Sequence, residues 1–225
     1  MIYKQGYKFT TIFLYLCIAM AATSGCQAEE PITLFQTVIE KSCISDIVPG
    51  ASEEQAVRTA LENCPTLEKE SIKRSEGPIS SVHFIIYQWT VSPSQQGRIN
   101  ISGGSVSSIF LNVAKGTPLS EFINGLGEPE SLSAFYNVYE QCTTSINLDY
   151  PSQGISLGIY RIFDCATRAG FFLYPETNVT NYYRYIPGML EDVLKTVYFM
   201  SEANIEANKL HRQTWNGYGE IRIEP

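Results

Sequence analysis

The sequence predicts an α+β fold of two tandem modules, each with small helices packed on one face of an antiparallel sheet. Residues 47–61 return in altered form as residues 115–127, and in each copy a glycine precedes a hydroxyl residue, Ser52 or Thr117. The two hydroxyl residues are 65 positions apart (117 − 52), and the apolar residues that follow them keep the same offset: Val57 with Phe122, and Leu61 with Leu126. Segments rich in β-branched and aromatic residues follow each copy. This spacing indicates a duplicated unit of helix and strands.

The N-terminus predicts an exported chain. Lys4 and Lys8 precede an uncharged, mostly apolar stretch at residues 9–22, so residues 1–25 are predicted to be a signal peptide. Residues 22–26 resemble the lipobox of bacterial lipoproteins, which makes Cys26 the predicted lipid anchor, with residues 26–31 as a polar tether. The predicted location is the outer face of a bacterial membrane. The alternative is ordinary signal-peptidase cleavage and secretion.

The first module is assigned to residues 32–114. Apolar residues at helical spacing predict a helix over residues 31–42, and a second helix is predicted over residues 53–63. Ser52 and Gln55 match the capping box, in which two side chains satisfy unpaired backbone donors at a helix start. Strands are expected over residues 81–91, 98–101 and 106–113, with Gly103 and Gly104 forming a hairpin turn.

The second module is assigned to residues 115–225. Thr117 is expected to cap its helix and Pro118 to occupy the first helical position. A hairpin is expected around residues 150–153, because apolar and β-branched segments flank a turn-rich sequence. Relative to the first module, this one carries extra length, which is assigned to an insertion at about residues 175–189.

Four cysteines remain outside the signal peptide and the anchor position, an even number that predicts two disulfides in an exported chain. Three pairings are possible. We favour Cys43–Cys64 and Cys142–Cys165, because each pair lies within one predicted module and closes a loop of about twenty residues. A zinc site is the alternative, although closely spaced cysteine pairs and nearby histidines are missing from the sequence.

Charge and motif content argue against several function classes. The formal net charge of −7 becomes −9 once Lys4 and Lys8 are removed with the signal peptide, so nucleic acids and anionic lipid heads are poor partners. The chain has only two histidines, His83 and His211, and no nucleophile elbow, zinc-protease pair or phosphate-binding glycine loop. We therefore expect no catalysis, no cofactor and no metal.

The glycine–hydroxyl helix opening, the later Leu126-Gly127-Glu128-Pro129 and the strands that follow resemble the SmpA/OmlA (BamE-like) lipoproteins. They are also similar to the tandem modules of β-lactamase inhibitory proteins. The resemblance covers roughly residues 45–200, and the first copy has Asn63-Cys64-Pro65 where Leu-Gly-x-Pro is expected. It implies helices packed on an antiparallel sheet, twice over, and protein–protein binding without a cofactor.

A tyrosine-rich run in the predicted insertion is a candidate partner interface, and it comprises Tyr182, Tyr183, Arg184 and Tyr185. Tyrosine and arginine are frequent binding anchors, because they bury much area while retaining hydrogen-bonding groups. The alternative is that these tyrosines cover a sheet edge or fill the core between modules.

Taken together, these features predict a non-catalytic envelope lipoprotein that binds or assembles other envelope or extracellular proteins. A secreted protein inhibitor of an extracellular enzyme is the alternative. A cell-wall hydrolase is a further alternative, and it would require a pair of coupled carboxylates.

Overall fold

One large antiparallel sheet organises the described part of the chain. The computed structural model describes residues 34–79, 82–138, 142–163, 171–188, 190–191, 194, 205–206, 209 and 212–221. The helices with described bounds are α1 (Leu34–Lys41), α2 (Glu54–Glu62) and α3 (Leu119–Leu126). The described strands are β1 (Lys73–Ile79), β2 (Val82–Ser92), β3 (Gln95–Ser102), β4 (Ser105–Pro118), β5 (Ser131–Val138), β6 (Cys142–Tyr150), β7 (Ile155–Phe163), β8 (Phe171–Leu173), β9 (Asn178–Tyr185), β10 (Arg212–Gln213) and β11 (Gly219–Ile221).

Nine of these strands form the large sheet in the order β1-β2-β3-β4-β9-β7-β6-β5-β10, and β8 pairs with β11 in a separate two-stranded sheet. The tight connections follow the sequence prediction. Gly103 and Gly104 have positive φ angles of 61° and 85° between β3 and β4, a conformation that glycine adopts readily. The hairpin predicted around residues 150–153 joins β6 to β7.

The predicted α+β fold of two tandem modules is wrong. In the described part of the chain eleven strands stand against three short α-helices, and nine of the strands form one sheet, so the fold is mostly antiparallel β. β4 pairs with β3 on one edge and with β9 on the other, which makes the sheet continuous across the predicted module boundary. β9 lies within the segment that the sequence assigned to an insertion. Modules were inferred from local patterns, whereas sheet membership depends on hydrogen bonds between strands that are distant in the chain.

One face of the large sheet carries the main core. Side chains alternate between the two faces along a strand, and on this face the alternate positions are buried and apolar. The helices add Phe35 from α1, Val57 and Leu61 from α2, and Phe122 from α3 to the same cluster, as their apolar spacing predicts. The sheet residues of this cluster include Ile99, Ile101, Ile109, Leu111, Val113, Ile146, Leu148, Leu157 and Ile159.

The two predicted hydroxyl caps do not cap their helices. Glu53 forms a β-bridge with the start of β4 and occupies the N-cap of α2, so Ser52 lies one residue too early. The Ser52 Oγ instead accepts a hydrogen bond from the Val48 N–H at 2.9 Å. Pro118 occupies the N-cap of α3, and Thr117 is a buried residue of β4. In each case the backbone just before the helix pairs with a strand, Glu53 with Ser105 of β4 and Thr117 with Val179 of β9.

The predicted Cys43–Cys64 disulfide is confirmed, with the two Cα atoms 5.6 Å apart. It links the end of α1 to the end of α2 and closes a loop over a sequence separation of 21 residues. The predicted Cys142–Cys165 pair lies outside the described residues, because Cys165 and the Cys142 side chain are not described. The predicted signal peptide and Cys26 lie outside them as well.

Candidate functional site

The large sheet opens between two of its central strands. β7 pairs with β6 along its whole length, from Ile155 to Phe163. On its other edge it pairs with β9 only from Ile155 to Gly158. Beyond Gly158 the two strands separate, and we call the resulting opening the β7–β9 cleft, bounded by residues 159–162 of β7, residues 171–174 and residues 176–180.

Gly158 marks the last pair before the opening. A Cβ atom at this position would lie 2.8 Å from the Asn181 Cβ, so the two strands approach each other too closely for any larger residue. Asn181 is held in place from the other side, because its Oδ1 accepts a hydrogen bond from the Asn112 Nδ2 at 2.7 Å. Specific contacts among β4, β9 and β7 therefore hold the last pair before the opening.

Exposed aromatic rings flank the cleft, which has a volume of about 470 Å³. Phe172 and Tyr174 are two positions apart, their ring centroids are 6.2 Å apart, and their ring planes differ by 17°. Tyr160, on β7, also lines the cleft. Their exposed fractions are 46%, 57% and 51% respectively, which is high for aromatic side chains.

Exposed apolar residues are concentrated at this end of the molecule. Of the seven large hydrophobic side chains that are exposed in the described chain, five lie on β7 or on the segments around β8 and β11. These five are Tyr160, Ile162, Phe172, Tyr174 and Tyr218. Single exposed apolar residues are common on protein surfaces, whereas several of them near one opening make that opening the candidate site.

Polar groups line the cleft together with the aromatic rings. The Arg161 guanidinium lies over the Phe171 ring, 5.4 Å from its centroid, which holds the charge at the cleft. Glu176 and Asn178 are exposed and also line the cleft. The Thr180 Oγ1 is buried and has no hydrogen-bond partner among the described residues. The cleft therefore combines apolar contact area with groups that can form hydrogen bonds.

The four residues predicted as a partner interface lie in β9, at the centre of the sheet: Tyr182, Tyr183, Arg184 and Tyr185. Tyr183 and Tyr185 are buried, with exposed fractions of 7% and 1%, and Tyr183 packs on Phe110 with ring centroids 4.7 Å apart. Tyr182 packs against aromatic rings of α1 and α3. The three tyrosines therefore pack within the sheet and against the helices, whereas Arg184 is partly exposed. Their part in a partner interface stays a prediction.

The sequence contained a signal for the residues that do flank the cleft. Tyr160 and Ile162 alternate with other residues on β7, as do Phe172 and Tyr174 on and just after β8. Alternation places both members of each pair on one side of a strand. The sequence did not identify these residues as a site, because nothing local indicates which side of a strand remains uncovered.

A buried carboxyl lies on the sheet face opposite the main core. Asp149 is 4% exposed, and the Ser156 hydroxyl donates a hydrogen bond of 2.6 Å to its Oδ1. Burial raises the pKa of the Asp149 carboxyl to about 6, and the Ser156 hydrogen bond and the Arg212 charge offset part of that rise. Among the described side chains, no three His, Cys, Asp or Glu residues come together as a metal site.

A charged network lies on the surface near α2. Arg74 forms ion pairs with Glu54 at 3.0 Å and with Glu76 at 2.8 Å, and the Tyr87 hydroxyl donates to the Glu54 Oε1 at 3.0 Å. The Arg74 hydrogen bond lowers the pKa of the Glu76 carboxyl. His83 Nε2 lies 2.9 Å from Glu76 Oε1, and the histidine is exposed. Solvent-exposed pairs of this kind contribute little to stability, so we treat the network as surface structure.

Comparison with known proteins yields no similarity to this chain: no protein-family model, no curated protein and no solved structure matches it. In the part of the chain that the structure describes, no helix has both the length and the apolar character that crossing a membrane requires.

Proposed function

We propose that this chain is an exported, non-catalytic protein of the cell envelope that binds another protein through the β7–β9 cleft. The observation that supports the proposal is the concentration of exposed aromatic side chains, Phe172, Tyr174 and Tyr160, around one opening in the sheet. Aromatic residues are enriched at the centres of protein interfaces, since they bury large area and lose little rotational freedom.

The contact area of the rings gives a scale for binding. An aromatic side chain buries about 150–250 Å² when fully covered, so covering the exposed half of three rings removes roughly 300 Å² from water. At about 25 cal/mol per Å² this amounts to roughly 7 kcal/mol. Association itself costs about 4–15 kcal/mol in lost freedom, so further contacts must complement the rings.

The proposed location rests on the N-terminal sequence. A lipid on Cys26 would hold the folded part at the outer face of a bacterial membrane, where envelope proteins are the available partners. The sequence resemblance to BamE-like lipoproteins and to β-lactamase inhibitory proteins supports the proposed protein binding. This support extends to function and not to the fold. A soluble inhibitor would use the same cleft, but it would lack the lipid.

Two measurements test the proposal. The first is the intact mass of the chain purified from its native envelope, compared with a Cys26→Ala variant. We expect a mature chain that begins at Cys26 and carries added acyl mass, which the variant lacks. An unmodified secreted chain would contradict the anchor and favour the inhibitor.

The second measurement is quantitative crosslinking in the native envelope with a Phe172→Ser/Tyr174→Ser double variant. Val48→Ser is the matched control, because Val48 is a similarly exposed apolar residue, 40% accessible, that does not line the cleft. We expect the double variant to lose the crosslinked partner at least tenfold and the control to retain it. Equal crosslinking by both variants would overturn the proposal that the cleft binds a partner.

A further inference from the structure

We infer that the β7–β9 cleft binds an extended peptide segment of the partner, which adds to β7 as a new strand. This inference rests on the proposed function and names the kind of partner surface that the cleft accepts. It is derived from the N–H and C=O groups of β7, independently of the aromatic side chains that line the cleft.

The direction of the backbone groups follows from the pairing at the start of β7. The Gly154 carbonyl accepts a hydrogen bond of 2.8 Å from the Tyr185 N–H of β9. Because N–H and C=O groups of successive strand residues point to opposite edges, the groups of Ser156 and Gly158 also point to β9. The N–H and C=O groups of Tyr160 and Ile162, two and four positions after Gly158, point to the same edge of β7. At these positions β9 no longer pairs with β7.

This edge is open within the described residues. No described strand pairs with the cleft side of residues 159–162, although β6 pairs with their other side. Natural proteins protect such edges with lysine, proline or a bulge, because unpaired backbone groups capture other strands. Tyr160 and Ile162 are uncharged and are 51% and 58% exposed. The charged residue between them, Arg161, has its guanidinium over the Phe171 ring, so the backbone groups of Tyr160 and Ile162 are the part of the edge without such protection.

The open backbone edge of β7 is better suited to a peptide than to a small molecule. A row of regularly spaced N–H and C=O groups is complementary to another backbone, and strand addition is a recurring mode of peptide recognition. The open stretch of residues 159–162, at roughly 3.3 Å per residue, accommodates a segment of similar length. Side chains of that segment would pair across the strands with Tyr160 and Ile162, which favours β-branched or aromatic residues at alternate positions.

The test uses the full-length mature chain and a random heptapeptide library displayed on phage. We expect selection of peptides with β-branched or aromatic residues at alternate positions. Failure to select any peptide that binds at the cleft of the wild-type chain would overturn strand addition.

Backbone and side-chain effects are then separated at one residue. Ile162→Pro removes the cleft-facing N–H and leaves the β6 side of the strand intact, whereas Ile162→Thr changes the side chain and keeps the N–H. We expect the selected peptide to bind about tenfold more weakly to the proline variant, and less than threefold more weakly to the threonine variant. Val48→Ser should bind it like the wild type.

A second measurement covers the case in which the proline variant does not fold. The selected peptide is synthesised with N-methyl groups at alternate positions and measured on the wild-type chain. We expect loss of binding for one of the two alternation patterns and retention for the other, because only one edge of an added strand faces β7. Equal binding by both patterns overturns strand addition.

The outcomes distinguish the inference from the proposed function. If the Phe172→Ser/Tyr174→Ser variant weakens partner crosslinking but the backbone changes have no effect, the cleft binds a partner by side chains alone. In that case strand addition is wrong and the proposed function stands. If neither kind of change has an effect, both are wrong.

Discussion

Replacement of Asp149 by asparagine tests the electrostatics of the buried sheet face. Asp149 is 4% exposed, its Oδ1 accepts the Ser156 hydroxyl, and burial raises its pKa from an ordinary value of 3.8 to about 6. Between these two pH values the unfolded chain loses the carboxyl proton while the folded chain keeps it. The free energy of unfolding therefore falls as pH rises from about 4 to 6, and the contribution is constant above that range.

The magnitude follows from the shift. A rise of about two pH units at 1.36 kcal/mol per unit corresponds to roughly 3 kcal/mol of stability lost between pH 4 and pH 7. Asparagine is nearly the same size and does not ionise, and its side-chain oxygen still accepts the Ser156 hydroxyl. We expect Asp149→Asn to abolish this part of the pH dependence, whatever the variant's absolute stability.

Urea unfolding, followed by tryptophan fluorescence at several pH values from 4 to 7.5, measures the effect. The wild type should lose roughly 3 kcal/mol more than Asp149→Asn over that range. Asp46→Asn is the matched control, because Asp46 is exposed. If the wild type and Asp149→Asn show the same pH dependence, the Asp149 pKa is not raised and the electrostatic reasoning is refuted.

Three further predictions concern the core and the disulfide. A Cβ at Gly97 would overlap the Trp89 indole, so Gly97→Ala should lower the free energy of unfolding by about 1–3 kcal/mol, measured by urea unfolding. The Trp89 Nε1 donates a buried hydrogen bond of 2.7 Å to the Ser42 Oγ, so Trp89→Phe should cost about 1–3 kcal/mol in thermal unfolding, and an unchanged melting temperature would contradict this. The Cys43→Ala/Cys64→Ala double variant should lose about 3 kcal/mol in urea unfolding without a reductant, because the bridge closes a loop over a sequence separation of 21 residues, and an unchanged free energy of unfolding would contradict this.

Features that depend on neighbouring residues were predictable. The burial of Val57, Leu61 and Phe122 follows from helical spacing, which determines the side of a helix that faces the core. The turn at Gly103 and Gly104 follows from the positive φ angles that a tight hairpin requires. The Cys43–Cys64 bridge was favoured because nearby cysteines in an exported chain close a short loop.

Features that depend on distant residues were not predictable in this way. Ser52 and Thr117 are residue types that cap helices. Backbone pairing with remote strands nevertheless places each helix start one residue later, at Glu53 and Pro118. The tyrosines of β9 have the composition of an interface, but Tyr183 and Tyr185 are buried in a cluster with Leu190 and Phe110 on one face of the sheet. Amino-acid composition alone does not predict which side chains become buried when distant segments pack together.

The sequence by itself determined the apolar stripes of the helices, the tight turns and one disulfide, because each follows from spacing along a few residues. Only the tertiary structure decided that one sheet replaces two modules and that β7 and β9 separate after Gly158. Strand pairing is a choice among many remote partners, and its outcome depends on the packing of the whole sheet. The open edge and its exposed aromatic residues are consequences of that choice.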